Sequence, residues 1–483
     1  MYLGLDLGTS GVKAMLIDGD QKIVGAGHGT LDVSRPHSGW SEQAPADWIR
    51  ATEDAIAELK ASHPGELAAV KGIGLSGQMH GATLLDGADN VLRPCMLWND
   101  TRSFKEAAAL DADPRFRTLT GNIVFPGFTA PKVVWVKNNE PETFAKVRKI
   151  LLPKDYLRLW LSGEHISEMS DSAGTSWLDT GKRAWSTELL AATGLDESHM
   201  PSLVEGTEKG GTLRGELASK WGMGSGVVIA GGAGDNAASA CGMGTVSEGN
   251  AFVSLGTSGV LFAANASYLP KPESAVHAFC HALPNTWHQM GVILSATDAL
   301  NWYSGIAGKS AADLTKELGD DLKAPTSVTF LPYLSGERTP HNDARIRGVF
   351  TGLGHESSRA VLTQAVLEGV TFAIRDNLEA LKSAGTAISR VTAIGGGSRS
   401  KYWLKSIATS LGVPVDIPQD GDFGAAFGAA RLGLIAATGA DPVKVCTAPK
   451  TEETIEPAKD LTSAYEDAYA RYRKTYPAIS ALS

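Results

Sequence analysis

Leu7-Gly8-Thr9-Ser10-Gly11-Val12 stands near the start of this 483-residue chain, and the same six residues return as Leu255-Gly256-Thr257-Ser258-Gly259-Val260. Each copy lies between apolar runs with strand-like alternation. These are Tyr2 to Leu7 and Val12 to Ile17 around the first, and Ala251 to Leu255 and Val260 to Ala263 around the second. Strand, tight turn and strand make a β-hairpin. A second feature repeats in the same order. Val227 to Ala230 leads through glycines into Gly234-Asp235-Asn236-Ala237-Ala238, and Val413 to Ile417 leads into Gly421-Asp422-Phe423-Gly424-Ala425. Each opens a small-residue helix, Asn236 to Ala240 and Ala425 to Leu434. Between hairpin and helix, each half also holds a strand that ends in glycine: Val70 to Leu75 before Gly77, and Val391 to Ile394 before Gly395-Gly396-Gly397. This collinear repetition reads as a duplication giving two α/β lobes, with the seam near Gly244 to Gly249.

Around this frame the spacing predicts helices over Pro45 to Lys60, Ser358 to Ser383 and Leu461 to Thr475, and helical stretches over Thr143 to Leu161 broken at Pro153. At 483 residues the chain exceeds a single core. A hydrophobic share of 43%, a charged share of 20% and a net charge of -9 describe a globular chain without the basic footprint of a nucleic-acid binder. No stretch approaches 18 uninterrupted apolar residues, so no membrane span is expected. Cys95, Cys241, Cys280 and Cys446 are scattered, which suits a reducing cytoplasm.

A Gly-Thr-Ser-Gly turn aims main-chain N–H groups and two hydroxyls at one spot, a nest for phosphate oxygens. One copy alone is equally an ordinary β-turn; two copies with both hydroxyls favour phosphate held from two lobes. Asp6 precedes the first turn, where a carboxylate can serve a hydrated Mg²⁺. The matching position in the second copy is Ser254, so the acid belongs to one lobe. Lys13 stays open between phosphate and solvent. Asp235 is either a base for a hydroxyl attacking phosphorus or a helix N-cap, and Asp422 reads as the N-cap. No P-loop is present. The Gly72, Gly74, Gly77 pattern is not a dinucleotide fingerprint, because residues 78–85 read as a returning strand instead of a helix. His277, Cys280, His281 and His288 read as structural. Trp98-Asn99-Asp100 with Arg102 is a weak sign of a sugar pocket.

Asp6-Leu7-Gly8-Thr9-Ser10, followed by Gly234-Asp235-Asn236, resembles the FGGY family of carbohydrate kinases. Residues Gly127 to Val136 are similar to that family's mid-domain signature. The second family signature is matched only over Ala365 to Val370, with Leu378 where a polar residue is usual. The resemblance runs from Tyr2 to about Leu434. It implies an α/β fold of two ribonuclease-H-like lobes, as in the actin, hexokinase and heat-shock-chaperone ATPase superfamily, with the active site in the cleft. The lobes are expected at 1–246, binding sugar, and 247–440, binding nucleotide, with a helical extension at 441–483 packing back on the first lobe.

By the same resemblance ATP and Mg²⁺ are implied. Asp235 is the implied proton acceptor, and Asp6 the acid that supports the metal through water. Met79, His80, Asp235 and Asn236 would contact the sugar. Thr9, Ser10, Lys13, Gly256, Thr257 and Ser258 would meet the ATP phosphates, and Gly395, Gly396 and Gly397 the adenosine. Ser76 to Gly81 and Leu334 to His341 are similar to the members that phosphorylate D-xylulose at its 5-hydroxyl; glycerol-phosphorylating members carry an Arg-Glu pair in the first of these loops. Ribulose, fuculose and gluconate are the near alternatives, and an ATPase without a sugar substrate is the distant one. The implied partners are the sugar and ATP, with neither nucleic acid nor membrane, and a homodimer by analogy.

Overall fold

The structure is a computed structural model and describes residues 1–419 and 421–482. In the first half, strands β1 (Tyr2–Leu7), β2 (Gly11–Ile17), β3 (Ile23–Thr30), β4 (Gly72–Gly77), β5 (Lys209–Thr212) and β6 (Val228–Ala230) form one sheet. Its order is β5-β6-β4-β1-β2-β3, and β7 (Ala233–Gly234) pairs with β4. In the second half, β8 (Gly249–Leu255), β9 (Gly259–Asn265), β10 (His277–Cys280), β11 (Trp287–Ile293), β12 (Ile388–Ile394), β13 (Val415–Pro418) and β14 (Thr451–Ile455) form the other. Its order is β10-β11-β9-β8-β12-β13-β14.

Laid over one another, β3-β2-β1-β4-β6-β5 and β11-β9-β8-β12-β13-β14 follow the same path. Each has an antiparallel hairpin, then two parallel neighbours, then an antiparallel edge. The predicted duplication is therefore a duplication of topology, with β10 added at one edge. Both repeated hairpins form as expected, with Leu7 opposite Val12 and Leu255 opposite Gly259.

The helices follow the apolar patterning. In chain order they include α1 (Pro45–Ser62), α2 (Thr129–Asn139), α3 (Pro153–Ser162), α4 (Asp235–Met243), α5 (Arg359–Ser383), α6 (Lys401–Leu411), α7 (Ala425–Thr438) and α8 (Thr462–Ser480). Helix α1 starts on Pro45, which needs no donor there, and buries Trp48, Ala55, Ile56 and Leu59. Helix α5 is capped by Ser358, whose side chain accepts from Val361 N, and Leu378 is fully buried in its apolar face.

Four expectations are corrected. Residues 143–161 are not one interrupted helix: Lys149–Leu151 is a strand paired with Thr83–Leu85, and Pro153 opens α3 instead of breaking it. Of residues 78–85, only Thr83–Leu85 is a strand. Of the stretch 441–482, only the start packs back on the first lobe, where Val445 and Cys446 share a core with Tyr2, Met15 and Ile17. Its β14 extends the second sheet, and Tyr465, Ala468 and Tyr472 of α8 enter the second core, where the Tyr472 and Tyr333 hydroxyls meet at 2.7 Å. Asp422 is not a helix cap; the N-cap of α7 is Gly424.

Helix α7, second-lobe by sequence, lies across the first sheet. Side chains are missing where it crosses: a Cβ on Gly4, Gly72 or Gly74 would collide with the carbonyls of Ala426, Gly433 or Ala429. Helices α7 and α4 meet in the same manner, because a Cβ on Gly428 would strike Ala238 O and one on Gly242 would strike Phe423 O. Main chain against main chain leaves no room for even one methyl. Gly74→Ala is expected to lower the melting temperature by several degrees. Gly65→Ala, where an added Cβ meets nothing within 4 Å, should leave it within about a degree. Parallel thermal melts of the two variants check this.

Candidate active site in the cleft

Parallel strands end together, and that brings the site residues to one place. Asp6 of β1 pairs with Ser76 of β4, and Ser76 in turn with Ala233 of β7. The first hairpin turn, the loop after Gly77 and the start of α4 therefore leave the sheet side by side. This is where open α/β sheets bind ligands. In the second lobe Ser254 of β8 pairs with Ile394 of β12, so the turn at 256–258 stands beside Gly395.

The first turn is closed by Gly8 N donating to Gly11 O at 2.9 Å. Two amides that sequence reasoning passed over hold it. Gln43 Nε2 donates to Thr9 O at 2.7 Å, and Gln78 Nε2 donates to Gln43 Oε1 at 2.9 Å. The Thr9 hydroxyl donates to Gln78 Oε1 and accepts from Trp98 Nε1 at 3.0 Å, so it faces protein while Ser10 is exposed. Trp98 thus braces the turn, and the adjoining Asp100 is a buried partner of Arg102. Lys13 is ion-paired with Asp422, which ties the first hairpin to the entry of α7.

Asp6 lies between Lys13 and Ser76 by strand register. Burial raises its pKa, while the Ser76 hydroxyl and the Lys13 charge pull it down. Its Oδ1 is buried without a hydrogen-bond partner. Among the described residues no three His, Cys, Asp or Glu side chains gather as a metal site. One carboxylate with a free oxygen fits Mg²⁺ that draws its remaining ligands from phosphate and water.

Asp235 is the first residue of α4, after Gly234 as N-cap. Its Oδ1 accepts from Asn236 N at 2.7 Å and from Asn236 Nδ2 at 2.9 Å. Burial, and then the negative charge of Asp6, lift its pKa to about 6. A chain of buried groups fixes the main chain under it. Gly234 N donates to Ser170 Oγ at 3.1 Å, and Ser170 Oγ donates to Glu168 Oε2 at 2.8 Å. Lys154 Nζ lies 3.3 Å from Glu168 Oε1, 2.7 Å from Asp155 Oδ1 and 3.1 Å from Asp171 Oδ2. Lys154, Asp155, Glu168 and Asp171 are all wholly buried. Burial holds the Asp171 carboxyl well above the usual carboxylate range. No motif in the sequence announces this cluster.

Met79 and His80 stand against the same end of α4. A Cβ on Gly234 would touch Met79 Cγ at 3.0 Å, and one on Gly174 would enter the His80 ring. His80 adopts a left-handed backbone, φ 70, which is strained for a non-glycine residue. Its carbonyl takes the Lys132 ammonium at 2.9 Å and the Thr129 hydroxyl at 3.1 Å. Its Nδ1 meets Gly174 O at 2.7 Å, and its ring stacks on Phe128 at 4.5 Å. The segment Gly127 to Lys132 is therefore the clamp of the 79–80 loop. Burial and the Lys132 charge lower the His80 pKa to about 3, so the ring is neutral. His277 stacks on Phe279 at 5.4 Å, and His288 on Phe262 at 4.4 Å, as aromatic packing.

On the second lobe, Thr297 N and Oγ1 both donate to Gly256 O, at 2.9 and 2.7 Å, while Thr257 and Ser258 remain exposed. Gly395 has φ 90 and abuts Leu255, which only glycine permits here. A cavity of about 500 Å³ opens over Gly396 and Gly397, walled by Thr297, Asn301, Thr315 and Arg399. Its size suits a nucleoside.

The model for the N-terminal domain of the FGGY family of carbohydrate kinases matches residues 1–242, and that for the C-terminal domain matches residues 251–437. The xylulose kinase of Escherichia coli K12 is 47% identical over 487 residues, covering 100% of each chain. That of Klebsiella pneumoniae is 49% identical over 440 residues and 90% of each chain. A solved structure from Brucella ovis, named a xyloylose kinase, superposes with a TM-score of 0.99 at 72% identity over 100% of each chain.

Removing one member of the buried cluster strands the others. Lys154→Met is expected to cost about 3–5 kcal/mol by leaving the Asp155 and Glu168 charges unpaired. Ser170→Ala should cost about 1–3 kcal/mol through the orphaned Gly234 N–H. Urea unfolding followed by tryptophan fluorescence measures both, and near-equal midpoints for wild type and Lys154→Met would refute this account.

Proposed function

The chain belongs to the FGGY family of carbohydrate kinases, and from that membership we propose that it transfers the γ-phosphoryl group of ATP to the 5-hydroxyl of D-xylulose. The observation that carries this reading is the position of Asp235 at the shared end of the first-lobe strands, next to Asp6 and against the Met79–His80 loop. The identity to xylulose kinases along the whole chain supports the choice of ketose.

Asp235 in its ionised form accepts the proton of the 5-hydroxyl as that oxygen bonds to the γ-phosphorus. The bond from phosphorus to the bridging oxygen of ADP breaks, and ADP leaves. Asn236 orients the carboxylate through its two N–H bonds. Met79 and the neutral His80 ring line the sugar's approach. Ser10, Thr257, Ser258 and the main-chain N–H groups of both turns receive the phosphates, and Lys13 exchanges Asp422 for phosphate. The Thr9 contribution is its main chain, since its hydroxyl is engaged elsewhere. Adenosine occupies the cavity over Gly396 and Gly397. Asp6 would hold Mg²⁺ through water, and the bound ion supplies neutralisation of the phosphate charge. Closure of the cleft excludes water from the reaction. Four buried free thiols support a reducing cytoplasm as its place of work.

The unprotonated base is present above its pKa of about 6, so kcat/KM for the sugar should fall about tenfold per pH unit below pH 6 and level off above it. Asp235→Asn is expected to remove about 10²–10⁴-fold of kcat while ATP still binds. A coupled ADP-release assay over ketopentoses, gluconate and glycerol, with ATP binding by calorimetry, tests both. Equal ADP release with and without sugar would sink the kinase reading.

A further inference from the structure

A 2-ketopentose closes its five-membered ring through the oxygen on its fifth carbon. That oxygen must be free to attack phosphorus, so the reacting sugar is open-chain and bears a bare carbonyl at C2. The groups around Met79 and His80 offer this carbonyl little. Asn236 Nδ2 is bound to Asp235, and the wall beyond His80 is aromatic. Phe128 lies 4.5 Å from His80 and 5.5 Å from Phe125, which lies 5.4 Å from His277.

Besides the His277 ring, whose Nδ1 has no partner, a charged donor from the other lobe reaches this wall. The Arg338 guanidinium carbon stands 4.8 Å over the Phe125 ring. Its main chain is fixed on both sides. Arg338 N donates to Glu337 Oε1 at 2.8 Å, and Thr339 Oγ1 donates to Ala275 O at 2.9 Å while accepting from Val292 N at 3.1 Å. Half-buried though it is, its guanidinium has no hydrogen bond or ion pair among the described residues. Arg102, Arg158 and Arg183, by contrast, are bound to carboxylates or carbonyls. A half-buried guanidinium with a ring face on one side and the Glu337 carboxyl near it, but hydrogen-bonded to neither, has donors to spare. The charge acts on His80 and His277, as well as on the adjacent Glu337. It therefore stands on the Phe125 and His80 side of the site.

We propose that Arg338 is a specificity-determining residue whose guanidinium donates to the C2 carbonyl and the neighbouring hydroxyl of the open-chain ketose. The inference rests on the ketose reading above. The planar fork of donors matches two adjacent oxygens, which a single ammonium does not. Asp235 belongs to the first lobe and Arg338 to the second, so a ketose held at both ends spans the cleft.

The test compares wild type, Arg338→Met and Arg338→Lys on D-xylulose and on xylitol, one of the two pentitols made by reducing its C2 carbonyl, with kcat and KM for each acceptor and KM for ATP. Arg338→Met should lower kcat/KM for the ketose about 10- to 100-fold and for the pentitol far less, so the preference for the ketose collapses. Arg338→Lys should recover part of it, with KM for ATP unchanged in both. An unaltered ketose-to-pentitol ratio in both variants overturns the inference and leaves the kinase assignment standing. A wild-type protein that does not phosphorylate D-xylulose overturns the functional reading, and this inference with it.

Discussion

Helix α7 rests on the first sheet at the separation of two main chains, because Gly4, Gly72 and Gly74 offer it no side chains to ride on. The helix belongs to the second half of the sequence, so this contact ties that half to the first sheet. It also sets what sits above: β1 and β4 carry Gly4 and Gly74 on their bodies and Asp6 and Ser76 at their ends. The site is thus built on strands whose packing tolerates no drift. That suits chemistry in which small displacements are costly.

Electrostatics then separates two carboxylates that the sheet places near each other. Asp6 and Asp235 both feel burial as a penalty on their charge. Asp6 has Lys13 and the Ser76 hydroxyl to favour its ionised form, whereas Asp235 has Asn236 against the repulsion of Asp6. The mutual repulsion of two close anions is relieved most simply by a proton on one and a cation on the other. Beneath them, Lys154 with its carboxylates and Ser170 anchors the main chain from which Asp235 projects. The cost of burying that cluster goes into position, which is the best-attested return on a buried ion pair.

The sequence disclosed the parts that repeat. The twin Gly-Thr-Ser-Gly hairpins gave two lobes, and the Gly234-Asp235 and Gly421-Asp422 turns gave the helices that meet between them. Local propensity was sufficient there because a hairpin needs only its own turn and flanking strands. It failed where partners are distant. Nothing near Tyr465 or Tyr472 says that their ring face covers the second core, and Asp422 read as a cap because its actual partner, Lys13, lies some four hundred residues away. The same holds for Gln43 under Thr9, Lys132 under His80 and the whole Lys154 cluster. These contacts bring together residues far apart in the chain, which no periodicity records. Departures between the two halves were more informative than their likeness: Ser254 against Asp6, and Gly424 as cap where Gly234 is followed at once by Asp235.

The contact between α4 and α7 has the form of a symmetric dimer interface enclosed in one chain. Gly242 of α4 lies under the chain entering α7, and Gly428 of α7 lies under the main chain of α4, so each helix gives the other the same surface. A patch that meets its own copy is isologous. Covalent linkage has removed the association step, but not the dependence of each partner on the other. Ala426 to Ile435 of α7 are all buried, much of that against the first sheet. A chain cut between residues 246 and 247 would leave that sheet uncovered and that helix without a floor. The lobes are two in topology and one in cooperativity, so the boundary that divides the sequence does not divide the fold into parts able to stand alone.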